Sequence, residues 1–182
     1  MTMSSIRALG DHLAASRQGL TSLTPELGRL ERGGRLLVAG NGGSAALAHH
    51  LAGELVGRFD RERAPFSALA LSGEPAGVTA ISNDYGYDEV FGRQVHAHGR
   101  RGDVFVALST SGRSPNLLRA TAVARAAGVT TYAMTGPAPN PLADAADDTL
   151  AVPCPDTPSV QDVQQVAVHL LCLAFENAAG RS

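Results

Sequence analysis

The chain has 182 residues, about one domain's worth at roughly 150 residues per domain, and its size allows a real core without disulfides or a structural metal. Lys and Arg total 15 against 17 Asp and Glu, a net charge of -2 that builds in no general attraction to nucleic acid. Aromatics are 4% with no Trp, too few for base-stacking or carbohydrate-binding platforms, and all basic residues are Arg, which excludes a Schiff-base lysine and a P-loop lysine.

Ile6, Leu9, Leu13 and Leu20, followed by Leu23, Leu27 and Leu30, recur at roughly helical spacing and predict helix over the first thirty residues, with a kink near Pro25. This stretch is amphipathic and charged, without the apolar run of a signal peptide, and no later run reaches about 18 apolar residues, so the expected location is the cytoplasm, away from membranes. Residues 35–40 are a short apolar run ending in NGGS, and residues 45–56 are Ala/Leu-rich helix. The same strand, turn and helix grammar returns at 66–71, at 103–108 before STSGRS, and at 129–134 before TGPAPNP. Short runs at 78–81 and 149–152 are read as further strands, and 160–176 as a long closing helix. Strands alternating with helices and apolar on both faces predict a parallel α/β sheet. Cys154 and Cys172 fit no metal knuckle and are read as reduced thiols.

In open parallel sheets ligands bind beyond the carboxyl ends of strands, where this chain places two Gly/Ser-rich turns. Helix N-termini supply N–H groups and partial positive charge, and Ser109, Thr110, Ser111 and Ser114 add hydroxyls, a set suited to a phosphate monoester. Ser, Asn and Gly also serve in ordinary βα turns and caps. No GxGxxG or Walker A sequence accompanies them. His50 and Glu54 stand four apart on one helix face, and Gln161, Gln165 and His169 form a polar line on an apolar helix. Imidazole, carboxylate and amide oxygen could hold a divalent ion, share acid/base work on a sugar carbon, or make ordinary surface and core pairs. His96 and His98 are read as solvated, and 83–87 as either an Asx-type turn or a pocket wall.

The strings GNGGSAALAHHLAGELVGRF, ISNDYGYDEVFGRQV, GDVFVALSTSGRSPNLLRA and VQDVQQVAVHLL, in this order over about residues 6–178, resemble the sugar-isomerase (SIS) domain and specifically the phosphoheptose isomerases. The resemblance implies a single SIS domain over 1–182: an N-terminal helical segment (1–33), an α/β core (34–155) and a C-terminal helix (156–178). The implied fold is a three-layer αβα sandwich with a five-stranded parallel sheet, its terminal helices bundled in a homotetramer with active sites between subunits. The implied reaction interconverts sedoheptulose 7-phosphate and D-glycero-D-manno-heptose 7-phosphate through an enediol, often with zinc, and without a nucleotide cofactor.

By motif position, Ser109, Thr110, Ser111 and Ser114 resemble the family's phosphate cradle, and Asn41, Gly42, Gly43, Asn83 and Asp84 its sugar-phosphate contacts, supported by Ser44 and Arg58. His50, Glu54, Gln161 and His169 match its zinc positions, Glu54 and Gln161 also match its substrate-contact positions, and Glu54 and His169 match its two proton-transfer residues. The chain departs from the family at Leu47, Gly53, Asp162 and Gln164 and in the proline-rich approach 153–158, which raises the expectation of a paralogue acting on a related heptose or octose phosphate. Non-enzymatic adaptors that bind the replication initiator as tetramers share the fold. They need not keep Glu54 or His169, and a sensing regulator would need a DNA-binding extension, so the expectation is an enzyme.

Overall fold

The strand-forming runs have apolar side chains on both sides, so each strand needs cover on both faces. The computed structural model describes residue 30 and residues 32–179. The helices expected over the first thirty residues lie outside these apart from Leu30, which is buried. Strands β1 (Leu36–Gly40), β2 (Ala68–Ala70), β3 (Val104–Ser109), β4 (Thr130–Thr135) and β5 (Asp148–Ala151) form one parallel sheet ordered β2-β1-β3-β4-β5. Alternate residues serve opposite layers: Leu36 and Val38 belong to one core cluster, Leu37 and Ala39 to the other.

One layer is α1 (Gly43–Val56) and the long α6 (Thr157–Ala179), which pack on each other. The opposite layer is built by α2 (Pro75–Tyr85), a 3-10 turn at Tyr87–Glu89, α3 (Val90–His98), α4 (Pro115–Ala126) and α5 (Pro141–Ala145). The expected αβα sandwich with a five-stranded parallel sheet is therefore present. Among the described residues no helix is long and apolar enough to cross a membrane.

Residues 78–81 are not a strand but the middle of α2. The β-branched Val78, Thr79 and Ile81 suggest an extended run, yet the local chemistry upstream overrides them. Glu74 caps the helix by accepting from Ala76 and Gly77 N–H, and Pro75 occupies the first turn, where its missing N–H costs nothing. Thr79 and Ser82 then turn their hydroxyls back onto the Pro75 and Val78 carbonyls.

After β1 the chain runs outward to β2, then crosses back to place β3 on the other side of β1. The switch point of this topology thus falls between the carboxyl ends of β1 and β3, where an open α/β sheet offers a crevice.

Candidate active site

Two turns face each other across that crevice. Asn41 to Ser44 leaves β1 and enters α1, with Gly42 at φ 55, a conformation that glycine adopts without strain. Gly40 lets the helix start close to the strand, since a Cβ there would meet the Ser44 backbone at 2.5 Å. The second turn leaves β3 at Ser109 and enters α4 at Pro115. The hollow between them measures about 180 Å³ and is lined by Asn41, Ser44, Leu108, Ser109, Thr110, Ser111, Ser114, Thr157 and Gln161. That is room enough for a phosphoryl group.

The hydroxyls converge on this hollow. Ser109 Oγ lies 3.2 Å from Ser114 Oγ and 3.5 Å from Ser111 Oγ, and it accepts the Gly112 N–H at 3.1 Å. Ser111 Oγ accepts the Arg113 N–H at 3.2 Å, and Thr110 Oγ1 faces Thr157 Oγ1 at 3.4 Å. No charged side chain is in this lining. Gly43 closes the hollow against α6, because a Cβ there would stand 2.5 Å from Gln161 Nε2.

Asn41 is held by a reciprocal amide pair with Asn116, both contacts at 3.0 Å, and Asn116 is buried at the start of α4. Tyr87 donates its hydroxyl to Asn41 Oδ1 at 2.8 Å from the opposite rim. Asn116 does not stand out in the sequence, while Tyr87 ends the segment 83–87 that reads as either an Asx-type turn or a pocket wall. Tyr87 meets Asn41 only because the glycine break at 86 swings the chain back over the crevice, a contact between residues 46 apart.

The second part of the site lies along α1 and α6, both of which begin at the hollow. His50 Nε2 is 3.1 Å from Glu54 Oε1. Gln165 Nε2 lies 3.0 Å from His50 Nδ1 and 3.0 Å from His169 Nε2. Gln165 Oε1 also lies 3.2 Å from His50 Nδ1, so the amide faces this ring with both of its polar atoms. In the tautomer with the His50 proton on Nε2, that proton is donated to Glu54, and the Gln165 N–H groups are donated to His50 Nδ1 and His169 Nε2. His169 then carries its proton on Nδ1. The two rings meet edge to face at 5.1 Å, and Phe59 walls His169 at 5.3 Å.

The structure thus joins His50, Glu54 and His169, but through Gln165, while Gln161 stands one helical turn nearer the hollow. The i+4 step from Gln165 to His169 is the sequence signal for this bridge. Among the described residues no three His, Cys, Asp or Glu side chains converge tightly enough to form a metal centre alone. Two imidazoles, a carboxylate and an amide oxygen are nevertheless a donor set that zinc accepts. His50 and Glu54 already form a two-donor half of it.

Asn83 and Asp84 fall on exposed α2, bonded to each other, and Arg58 is exposed with a long contact to the Asp60 carbonyl. None of the three enters this chain's own hollow. Gly53 sits on α1 beside Glu54 with nothing within 4 Å of where its Cβ would be, and Leu47 points into the core. Gln164 is buried and donates to the Met134 carbonyl at 2.8 Å, so that departure serves the packing of α6 on the sheet. Asp162 is exposed.

Burial pushes the Cys172 thiol beneath this site up to about 12, with the nearby Glu54 charge adding to the effect. Cys154 donates to Asp156 at 2.9 Å, and both cysteines are free. The loop 59–61 that carries Phe59 is held by Glu176, whose carboxylate accepts the N–H groups of Phe59 at 3.0 Å, Asp60 at 3.0 Å and Arg61 at 3.2 Å. Burial works to raise the Glu176 pKa. The amide hydrogen bonds and the Arg63 charge outweigh it and leave the group below its ordinary value.

Comparison with known proteins places this geometry in a family. The SIS domain family model matches residues 27–136. A phosphoheptose isomerase of Streptomyces coelicolor is 60% identical over 149 residues, which cover 82% of this chain but 64% of that longer relative. One of Rhodospirillum rubrum is 45% identical over 170 residues, covering 93% of this chain and 89% of the relative. The solved structure of the phosphoheptose isomerase from Neisseria gonorrhoeae superimposes with a TM-score of 0.88 at 35% identity, over 96% of this chain and 94% of that one. With motif, topology and similarity in agreement, the chain belongs to the SIS-domain family, in the company of its phosphoheptose isomerases.

Proposed function

We propose that the protein is an aldose-ketose isomerase that interconverts sedoheptulose 7-phosphate and D-glycero-D-manno-heptose 7-phosphate. The observation that carries this reading is the hydroxyl-lined hollow at the ends of β1 and β3, from which α1 and α6 lead to a linked Glu54, His50, Gln165 and His169. Along α1, His50 and Glu54 lie six and ten residues past Ser44, about 9 and 15 Å at 1.5 Å per residue, and helical side chains lean back toward the N-terminus. A phosphate in the hollow therefore leaves the far end of a long sugar chain, not its near carbons, at the acid/base groups.

In the reaction the phosphate rests on Ser109, Thr110, Ser111 and Ser114 and on the N–H groups at the start of α4. Asn41, fixed by Asn116, and Gln161 orient sugar hydroxyls. Glu54 takes the proton from C1 of the ketose as the carbonyl at C2 becomes a hydroxyl, and the resulting enediol regains a proton at C2 as O1 becomes the aldehyde oxygen. His169 carries the proton that must move between the two oxygens, with Gln165 and His50 setting its orientation. Zinc, held by His50, Glu54, His169 and the Gln161 amide oxygen, would polarise the sugar oxygens when bound. Because Asn83, Asp84 and Arg58 lie outside this chain's hollow, the proposed assembly is a homotetramer in which they reach a neighbour's site. The setting proposed for this metabolic reaction is the cytoplasm.

The test is turnover of sedoheptulose 7-phosphate by the purified protein, beside an octulose 7-phosphate, with added zinc and after chelation. Formation of the aldose phosphate is expected, and loss on chelation with recovery on zinc supports the metal. Preference for the octulose would assign a paralogue, and a folded protein inert toward both sugars under every metal condition would overturn the reading.

A further inference from the structure

A second cavity opens at the opposite edge of the sheet, where the strands begin. It measures about 790 Å³, within the range of small-molecule sites. Arg32, Arg35, Arg100, Arg101 and His98 line it, and its one acidic residue is Asp103. Four of the chain's 15 basic residues thus share one cleft in a protein whose net charge is -2. Because β3 is six residues long, roughly 20 Å separates this cleft from the phosphate hollow.

Asp103 does not neutralise the arginines; it assembles them. Its buried carboxylate accepts the Arg35 N–H on Oδ1 and the Arg100 N–H on Oδ2, both at 2.8 Å, so it ties together the two loops that carry the basic side chains. Among the described residues none of the four guanidinium groups is ion-paired. Arg35 donates to Ser67 Oγ at 3.2 Å, and Arg100 to the Ala97 and Gly99 carbonyls at 3.0 and 2.8 Å. Arg101 lies flat on Gly128, where a Cβ would stand 3.1 Å from its Cζ. Partners of this kind fix direction, and among the described residues lining the cleft the four arginines outnumber the single carboxylate of Asp103. Guanidinium forks match phosphate oxygens bidentately, and four of them around one cleft exceed the needs of a single phosphate.

We propose that this cleft binds a small molecule bearing a diphosphate, at a site separate from that of the sugar phosphate. Two linked phosphoryl groups match the number of the arginines, and the remaining volume accepts the group esterified to them.

Isothermal titration of the purified full chain at fixed ionic strength tests this, with inorganic pyrophosphate and then ADP as probes. Three proteins are compared: the unaltered chain, Arg32→Ser/Arg101→Ser, and Ser109→Ala/Ser111→Ala in the phosphate hollow. Both arginines are exposed, so the fold should persist, which a thermal unfolding midpoint verifies; Arg101→Ser alone serves if the pair lowers it. Saturable pyrophosphate binding is expected in the unaltered chain and in the serine variant, weakened at least tenfold in the arginine variant. Tighter binding of ADP identifies a nucleotide, and equal binding a simpler diphosphate ester. Absence of saturable binding, an undiminished arginine variant, or a serine variant that loses as much as the arginine one overturns the proposal.

Discussion

Glu54 and Gln165 can be separated by what each substitution removes. Glu54→Gln keeps shape and loses the proton acceptor, so kcat should fall by about 10²–10⁴-fold with the unfolding midpoint little changed, read from steady-state kinetics and circular dichroism. Gln165→Leu leaves the carboxylate in place but unties His50 from His169. The expected loss is smaller, about 10–100-fold, as for groups that orient catalytic side chains. Cys172 offers a test of burial: with its thiol pushed up to about 12, a thiolate reagent should label one cysteine per native chain, Cys154, and two after denaturation. Labelling of both in the native protein would contradict the packing under α1 and α6. The motif residues of the hollow were readable in the sequence because they follow one another along two turns. Asn116 was not, since its role exists only once distant turns meet at Asn41, and Tyr87 was legible only as part of a segment that could be a turn or a pocket wall.

At the scale of elements, the loop after α1 depends on one carboxylate near the end of α6. Glu176→Gln removes a charge that three amides and Arg63 share, worth about 2 kcal/mol for hydrogen bonds to a charged group, or roughly 4–8 °C in Tm for a chain of this length. The pH dependence has a definite sign. A folded pKa below the unfolded one means the stabilisation is complete above the ordinary value of 4.5 and disappears as pH falls through the lower folded value. Melting curves of the two proteins should therefore converge in acid and separate above that range. Strands β1, β3 and β4 were legible because apolar runs bounded by turns have few alternatives. The run at 78–81 was misread because its β-branched residues speak for strand, while the deciding signals, Glu74 and Pro75, stand just upstream of it.

At the scale of the whole molecule, the exposed positions of Asn83, Asp84 and Arg58 outside their own chain's hollow make assembly part of the proposed activity. Light scattering should give a mass near four times 18.8 kDa. Mixing Glu54→Gln with Asn83→Ala chains and reassembling them should recover a fraction of the activity that neither has alone, since some sites then take both intact groups from different subunits. The layered fold also bears on how the proposed site would attract a phosphate. Three helices, α1, α4 and α6, start at the rim of a hollow that has no charged side chain in its lining. At about half an elementary charge per helix end, they sum to roughly +1.5, comparable to the charge of a bound phosphate monoester. Backbone dipoles have no proton to lose, so in the proposed reading substrate capture by this hollow would be blind to the ionisation of the groups that line it, and its variation with pH would follow the phosphate of the sugar itself.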